Sequence, residues 1–153
     1  MSTPHPPRAP RAQRSEFDTF YRLQTRWMDN DIYGHMNNVV HYSLFDTAVN
    51  GWLIEQGLLD PRHGETYGLV VETGCRYHAE IAFPAWIEAG LRIGSLGKSS
   101  VRYEIGLFAE GHEQALAEGF FVHVNVTRAT HRPTPLDARW RTVLERLVPA
   151  GPG

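Results

Sequence analysis

Cysteine is nearly absent from this sequence of 153 residues, which has a single thiol at Cys75. One cysteine cannot form a disulfide within the chain, and zinc sites built on Cys-x-x-Cys pairs are excluded as well. So low a cysteine content is typical of proteins kept in a reducing compartment, and we expect a cytoplasmic location. No activating pattern surrounds Cys75, so we interpret it as a small buried residue rather than a nucleophile.

The sequence also lacks an excess of either charge and any long apolar run. Lysine and arginine number 15 against 17 aspartates and glutamates, which does not favour nucleic acid or an anionic membrane as a partner. No apolar stretch is long enough to cross a membrane, and none follows the N-terminal arginines as a secretory signal requires. We therefore expect the partner to be a small molecule or another copy of the chain.

The hydrophobic content indicates one domain between two short tails. With 42% hydrophobic residues, the chain can build one well-buried core but is short for two. Residues 1–15 contain four prolines among small and basic residues, a composition that predicts a flexible tail. The domain is expected over residues 16–148, and residues 149–153 are expected to form a C-terminal tail.

Apolar periodicity predicts the order of the elements. Residues 17–27 alternate as a strand does, and residues 39–56 repeat apolar side chains at helical steps. Asn37 or Asn38 is the expected N-cap of this helix, and Gly57 is the expected residue at its C-terminal end. Four further alternating runs and a last amphipathic segment lie at about residues 68–79, 85–96, 100–110, 115–129 and 136–147.

This order predicts an α+β fold in which a five-stranded antiparallel sheet wraps one long helix and a short helix follows. A single helix covers only part of such a sheet, and the outermost strands keep unpaired edges. A second copy would extend the sheet and cover the flank of the helix. We therefore expect a homodimer or a dimer of dimers.

Residues 26–46 concentrate the side chains that carry chemistry. They include Asp29, Asp31, His35 and the pair Asn37–Asn38 at the predicted helix start. A helix start offers free N–H groups and partial positive charge, which stabilise a carbonyl oxygen as it becomes an oxyanion. A carboxylate just ahead of it can attack that carbonyl or activate water, and a thioester suits this pairing because a thiolate leaves easily. Capping and turn formation are the alternative roles of these residues.

The pattern D-x-D-x-x-G-H-x-N-N-x-x-x-Y-x-x-F-D resembles the signature of the 4-hydroxybenzoyl-CoA thioesterase group of hot-dog proteins. Its positions are filled here by Asp29, Asp31, Gly34, His35, Asn37, Asn38, Tyr42, Phe45 and Asp46. The resemblance covers about residues 16–147. It implies a hot-dog fold, hydrolysis of an acyl-CoA thioester, and no cofactor apart from the coenzyme A of the substrate. The stretch between Gly34 and Tyr42 is one residue longer here than in the bacterial tol-pal-cluster type.

The resemblance also implies roles for single residues. Asp31 is the catalytic carboxylate in preference to Asp29, and a backbone N–H near Asn38 binds the thioester carbonyl. His35 either orients the substrate and assists proton transfer or only forms local hydrogen bonds.

Substrate contacts are expected in the loop and at two places further along the chain. Gly34 and Asn37 belong to the loop, where capping the helix is the alternative role of Asn37. Glu72 is a second acidic candidate on a strand, with a solvated strand face as its alternative. Lys98 and Ser99 lie in a turn whose cation, N–H groups and hydroxyl can hold phosphate. Similar hot-dog enzymes bind the coenzyme A nucleotide along this part of the sheet, and a merely solvated turn is the alternative.

Three other functions compete with a thioesterase. A hydroxyacyl dehydratase or hydratase uses the same fold, and Gly34 and His35 resemble its glycine-histidine element, but the flanking prolines are missing. A non-catalytic acyl-CoA sensor would need a DNA-binding region, for which the roughly 15 residues ahead of the first strand are too few. A metal hydrolase is disfavoured because the six-residue spacing of His35 and His41 does not place two ligands on one helix face, so we expect no metal.

Overall fold

The computed structural model describes Pro4 and residues 10–150. Within them the chain forms five strands and two α-helices, neither of them long and apolar enough to cross a lipid bilayer. The strands are β1 (Thr19–Gln24), β2 (Thr66–Tyr77), β3 (Trp86–Leu96), β4 (Ser100–Ala109) and β5 (Ala117–Thr127). The helices are α1 (Val40–Glu55), between β1 and β2, and α2 (Ala138–Glu145), after β5. The predicted order of elements is confirmed.

All five strands form one antiparallel sheet in the order β1-β3-β4-β5-β2. Short turns join β3, β4 and β5, whereas β1 and β2 lie at opposite edges. β2 pairs with β5 along its whole length, with a bulge between Val70 and Glu72. The other edge of β2 pairs with no strand of the described chain.

α1 lies across one face of the sheet, which we call the inner face. Its fully buried Phe45 packs edge-on against Phe121 of β5, with ring centroids 6.3 Å apart. The buried positions of α1 recur at three- and four-residue steps, as the sequence predicts, and are His41, Leu44, Phe45, Ala48, Val49, Trp52 and Leu53. Alternate residues of the strands point to α1, and the residues between them form the outer face. The predicted α+β architecture, a five-stranded sheet around one long helix, is confirmed.

The start of α1 differs from the prediction, whereas its end agrees with it. The N-cap is Val39 rather than Asn37 or Asn38, and no side chain of the described residues caps the helix. Asn37 instead closes a turn just before the helix, since its Oδ1 accepts a hydrogen bond from the N–H of Val39 at 3.1 Å. At the other end Gly57 follows the helix with φ of 72°, the left-handed conformation expected of a glycine there.

β1 is shorter than the strand predicted over residues 17–27. Trp27–Asp29 form a turn of 3-10 helix that begins after Thr25 and Arg26. The carboxylate of Asp29 accepts hydrogen bonds from the backbone and the guanidinium of Arg26 and holds this turn in place. Alternation of side chains in the sequence continues into the turn, but these hydrogen bonds redirect the backbone.

Residues ahead of β1 cover part of the outer face. Ala12 is buried, and the Arg14 guanidinium lies 5.0 Å from the Phe20 ring centroid and 5.2 Å from that of Phe108. Residues 11–15, which composition assigns to the flexible tail, therefore pack against the sheet. The aromatic surface that receives Arg14 is assembled from distant strands, so local composition does not reveal it. Most of the remaining tail lies outside the described residues.

Candidate active site

The loop between β1 and α1 folds around the carboxylate of Asp31. Its Oδ1 accepts hydrogen bonds from the N–H of Tyr33 at 2.8 Å and of His35 at 3.4 Å. Gly34 donates its N–H to the Asp31 carbonyl at 3.1 Å and adopts φ of 81°, which a glycine does without steric cost. Oδ2 of Asp31 makes no hydrogen bond to a described residue. Half of this carboxylate is therefore available to a ligand.

Asp29 differs from Asp31 in that both of its carboxylate oxygens are already bonded. Its side chain is 1% exposed. Oδ1 accepts from Nε and Nη2 of Arg26 at 3.0 and 2.9 Å, and Oδ2 accepts from the Arg26 N–H at 2.7 Å. Asp29 therefore shapes the entry to the loop, and the geometry leaves Asp31 as the acid with a free oxygen.

A cleft of about 240 Å³ opens beside this loop. It is bounded by the start of α1 and the segment after β2, and its lining residues are His35, Met36, Asn38, His41, Tyr77, His78, Ala79, Glu80 and Ile81. The Tyr77 hydroxyl donates to the Asn38 carbonyl at 2.6 Å and so joins the end of β2 to the start of α1. Burial raises the pKa of Tyr77 to about 12, and its hydroxyl stays protonated at neutral pH.

The backbone N–H of Asn38 has no acceptor among the described residues. The N–H groups on both sides of it are occupied, since Asn37 donates to the Asp29 carbonyl and Val39 to the side chain of Asn37. A free amide at the start of a helix is suited to bind an oxyanion, because the partial positive charge of the helix end adds to the hydrogen bond. Asn38 is one of the residues that line the cleft.

His35 is held at the cleft by a carboxylate. Its Nε2 lies 3.0 Å from Oε2 of Glu80, which follows β2. A carboxylate at one ring nitrogen sets the orientation of the imidazole. The predicted histidine thus has an acidic neighbour that no pattern within residues 26–46 indicates.

His41 contributes a neutral ring to the cleft wall. Its side chain is buried, its ring meets Tyr77 edge-on with centroids 4.7 Å apart, and its Nδ1 has no hydrogen-bond partner among the described residues. Burial lowers the pKa of His41, while the carbonyls of Asn38 and Asn37 act in the opposite direction. The imidazole is therefore uncharged at neutral pH, and it forms part of the cleft wall without adding a charge to it.

Large apolar side chains are exposed around the loop and along β2. In the loop Trp27 is 83% exposed and Ile32 is 92% exposed. On β2 the exposed apolar residues are Leu69, Val70, Val71 and Tyr77. Exposed apolar surface of this kind on a folded protein marks a place where something binds.

Comparison with known proteins identifies the family. The sequence profile of the thioesterase-like superfamily matches residues 25–147. The chain belongs to this superfamily. The match confirms the resemblance on which the predicted hot-dog fold and thioester hydrolase activity rest. A comparison with curated proteins finds no match.

Solved structures similar to this thioesterase-like protein share its whole domain. The PA5185 protein of Pseudomonas aeruginosa strain PAO1 is 52% identical, with a TM-score of 0.88 over 91% of this chain and 97% of that chain. A 1,4-dihydroxy-2-naphthoyl-CoA thioesterase from Synechocystis is 18% identical, with a TM-score of 0.75 over 84% and 96% of the two chains. BH1999, a gentisyl-coenzyme A thioesterase, is 21% identical, with a TM-score of 0.71 over 82% and 99%. The last two show the shared fold.

The predicted site residues of this thioesterase-like chain fall into two groups. The first group lies together in the loop beside the cleft and consists of Asp31, Gly34, His35, Asn37 and Asn38. Within it, His35 and Asn38 line the cleft directly. Glu72, Lys98 and Ser99 form the second group and line no part of the cleft in the same chain.

The second group is separated from the cleft along the sheet. Lys98 and Ser99 form the turn before β4, whose first residue pairs with Val124, whereas the cleft lies near the opposite end, where Tyr77 pairs with Ala117. The Lys98 carbonyl accepts a hydrogen bond from the N–H of Leu136 at 2.9 Å, so this turn supports the C-terminal segment. Glu72 is exposed on the edge strand β2.

Sequence reasoning missed the cleft residues at the end of β2 and just after it. Tyr77, His78 and Glu80 sit in a short polar and aromatic run whose only signal is its composition. Burial raises the pKa of the neighbouring Cys75 to about 11, so this thiol stays protonated at neutral pH and is a poor nucleophile. In the described part of the chain, no group of three or more His, Cys, Asp or Glu side chains is arranged to hold a metal ion.

Proposed function

We propose that this protein hydrolyses an acyl-CoA or aryl-CoA thioester to the free acid and coenzyme A, without a further cofactor and in the cytoplasm. The observation that carries the proposal is that the free N–H of Asn38 and the half-free carboxylate of Asp31 belong to one short loop that borders the cleft. The two structural neighbours named for 1,4-dihydroxy-2-naphthoyl-CoA and gentisyl-CoA support coenzyme A thioesters as the substrate class.

Each residue of the loop has a role in this reaction. Asp31 supplies the carboxylate that attacks the thioester carbon or activates the attacking water. The N–H of Asn38 stabilises the negative charge that develops on the carbonyl oxygen, and the coenzyme A thiolate then leaves with little acid assistance. His35, oriented by Glu80, positions the substrate or carries a proton. Gly34 and Asn37 shape the loop that presents these groups.

A panel of acyl-CoA and aryl-CoA thioesters, assayed with a thiol-detecting reagent, tests the proposed function. We expect release of one thiol per ester hydrolysed with at least one member of the panel. An enoyl-CoA in the same panel examines the alternative, a hydratase, through loss of its conjugated double bond. Hydration of the enoyl-CoA without thiol release from any ester would contradict a thioesterase, and no reaction with any member would favour an acyl-CoA-binding protein.

The active form is proposed to be a homodimer, alone or as half of a dimer of dimers. β2 spans 12 residues at the edge of the sheet, and apolar side chains on it are exposed. Such an edge is a template for pairing with another strand. Antiparallel pairing of two β2 strands would give a continuous ten-stranded sheet and cover this surface.

Dimerisation of this kind would also explain the second group of predicted site residues. Two antiparallel β2 strands bring the Tyr77 end of one protomer beside the Thr66 end of the other. The turn with Lys98 and Ser99 lies at the Thr66 end of the sheet. We propose that Lys98 and Ser99 of one protomer approach the cleft of the other, while Glu72, which shares the outer face with Gly74, lies at the shared strand pair.

A lysine in the middle of β2 is expected to separate the dimer. Val71 is 62% exposed beside the bulge, so Val71→Lys should leave the protomer folded. Two like charges brought together across the paired strands should raise the dimer dissociation constant by at least about tenfold. Sedimentation at micromolar concentration measures this, and the hydrolysis rate should fall with the dimer fraction. Val148→Lys, the same change at an exposed valine after α2, is the matched control. An unchanged dimer in Val71→Lys would show that β2 is not the interface.

A further inference from the structure

The outer face of the sheet carries a groove of about 470 Å³ that the hydrolysis site does not use. On β5, Phe121 packs on Phe45 of α1 and therefore points to the inner face. Its neighbour Phe120 points the other way and lines the groove. The groove is thus separated from the core by the thickness of the sheet.

A glycine keeps the groove open beside Phe120. Gly74 of β2 pairs with Phe120, and a Cβ at this position would lie 2.7 Å from the Phe120 ring. On the other side Phe120 pairs with Glu104 of β4, which in turn pairs with Arg92 of β3. These four residues form one row across four neighbouring strands. Because Gly74 has no side chain, the row leaves a space of the size of a small-molecule site.

Two arginines in the groove are fixed between an aromatic ring and a carboxylate. The Arg102 guanidinium lies 3.9 Å from the Phe120 ring centroid, and that of Arg92 lies 4.9 Å from the Phe17 ring centroid. Both donate from Nε to Glu104, at 3.2 and 3.0 Å. A guanidinium held in this way is already ordered, so little side-chain entropy is lost when a ligand binds it.

Donor groups of these arginines are left over. The terminal nitrogens of Arg102, and the whole guanidinium of Arg76, make no hydrogen bond or ion pair with a described residue. Of the two carboxylates in the groove, Glu104 is shared by two arginines, and Glu118 already accepts from Nε2 of His78 at 2.6 Å. Forked guanidinium N–H groups match phosphate oxygens, and guanidinium planes stack with bases.

We propose that this groove binds the phosphate-bearing end of an adenine nucleotide. Two sources share this chemistry: the 3'-phosphoadenosine diphosphate end of coenzyme A and a free nucleotide. Groove and cleft meet at the end of β2, where Tyr77 and His78 line the cleft while Arg76 and Glu118 line the groove. The hydrogen bond between His78 and Glu118 joins the two sites. The coenzyme A source rests on the proposed function, whereas nucleotide binding itself does not.

Calorimetric titration of the full chain with adenosine 3',5'-bisphosphate and with ADP tests the site directly. We expect the wild-type protein to bind at least one of them, and Arg102→Gln to weaken that binding by at least about tenfold, as for loss of a charged hydrogen-bond donor. Arg76→Gln should weaken it as well, and this variant should fold normally because Arg76 is exposed on β2 and forms no hydrogen bond or ion pair with a described residue. Arg22→Gln is the matched control, since Arg22 also stacks on a ring, that of Trp86 at 3.7 Å, and pairs with a glutamate outside the groove.

Kinetics with two esters of the same acid then distinguish the sources. If the groove holds the nucleotide of coenzyme A, Arg102→Gln should raise KM for the acyl-CoA by at least about tenfold and leave KM for the acyl-pantetheine ester unchanged. If it holds a free nucleotide, the probe should bind without competing with acyl-CoA, and KM should not change. Hydrolysis of neither ester would reject the proposed function, while the titration would still decide the nucleotide site.

Three results would overturn the proposal. The first is a wild-type protein that binds neither probe at millimolar concentration. The second is a loss of binding in Arg22→Gln equal to that in Arg102→Gln, which would show a general effect of charge. The third is a change of oligomeric state in Arg102→Gln, seen by sedimentation, that accounts for all of its loss of probe binding. That result would make the groove a contact between copies of the chain.

Discussion

Replacing Asp31 with asparagine is expected to lower the turnover of acyl-CoA hydrolysis by about a hundredfold or more, the effect of losing a positioned acid or base. Asparagine keeps the side-chain oxygen that accepts from the N–H groups of Tyr33 and His35, so the loop should keep its shape. The change removes the charge and basicity of the free carboxylate oxygen. Steady-state kinetics with a thiol-detecting reagent measures the loss, and the melting temperature checks the fold.

Asp60→Asn is the matched control for this experiment. Oδ1 of Asp60 accepts from the N–H groups of His63 and Arg62, each at 3.0 Å, and these hydrogen bonds lower the pKa of its carboxyl. Asp60 therefore forms a turn as Asp31 does, but it lies outside the cleft, and turnover should be unchanged. Asp29→Asn is unsuitable, because the buried Asp29 carboxylate has both oxygens bonded and its loss alters stability as well as charge. Near-normal turnover in Asp31→Asn would reduce Asp31 to a loop-forming residue.

Adding one methyl group at Gly119 is expected to destabilise the protein by about 3 kcal/mol, at the upper end of the usual cost of overpacking a core. A Cβ at this position would collide with Cε2 of Phe45, and Phe45 is fully buried, so its ring cannot turn out into solvent. For a chain of this length the melting temperature of Gly119→Ala should fall by roughly 6–12 °C. Calorimetry at a fixed protein concentration measures this, because the proposed dimerisation would contribute to stability.

A second variant shows whether the collision is the cause. Phe45→Leu removes the ring atoms that the new methyl group would meet, at the cost of some apolar burial. The double variant Gly119→Ala/Phe45→Leu should therefore be more stable than the sum of the two single effects predicts. Strict additivity would mean that Gly119 is required for another reason. Since Phe45 sets the distance between α1 and β5, Gly119→Ala should also displace the start of α1 and reduce hydrolysis.

Much of the fold follows from local patterns. Alternation in β3, β4 and β5 and the helical repeat of α1 are properties of neighbouring residues, and all of these elements were predicted within a few residues of their observed bounds. The errors arise where side chains compete with a local pattern. Asp29 turns the chain before the alternation ends, and Asn37 closes a turn ahead of the helix instead of capping it.

The candidate site likewise has some features that the sequence predicts and others that only the folded chain shows. The sequence by itself determined that Asp31, His35 and Asn38 belong to one loop before a helix, because their spacing along the chain is short and the family signature covers them. Only the tertiary structure decided which aspartate has a free oxygen, since that depends on how Arg26 folds back onto Asp29. Likewise, only the tertiary structure shows that Glu80 pairs with His35.

The rest of the site depends on contacts between residues far apart in the chain. Tyr77 reaches the Asn38 carbonyl across 39 residues of sequence, and the outer groove needs four strands in register. No pattern within one element contains such pairings, because they are selected by the total burial and hydrogen bonding of the folded chain. The sequence therefore determined which chemical groups the loop carries. The packing of β2 against β5 decided that the end of β2 lies beside the start of α1 and forms the cleft with it.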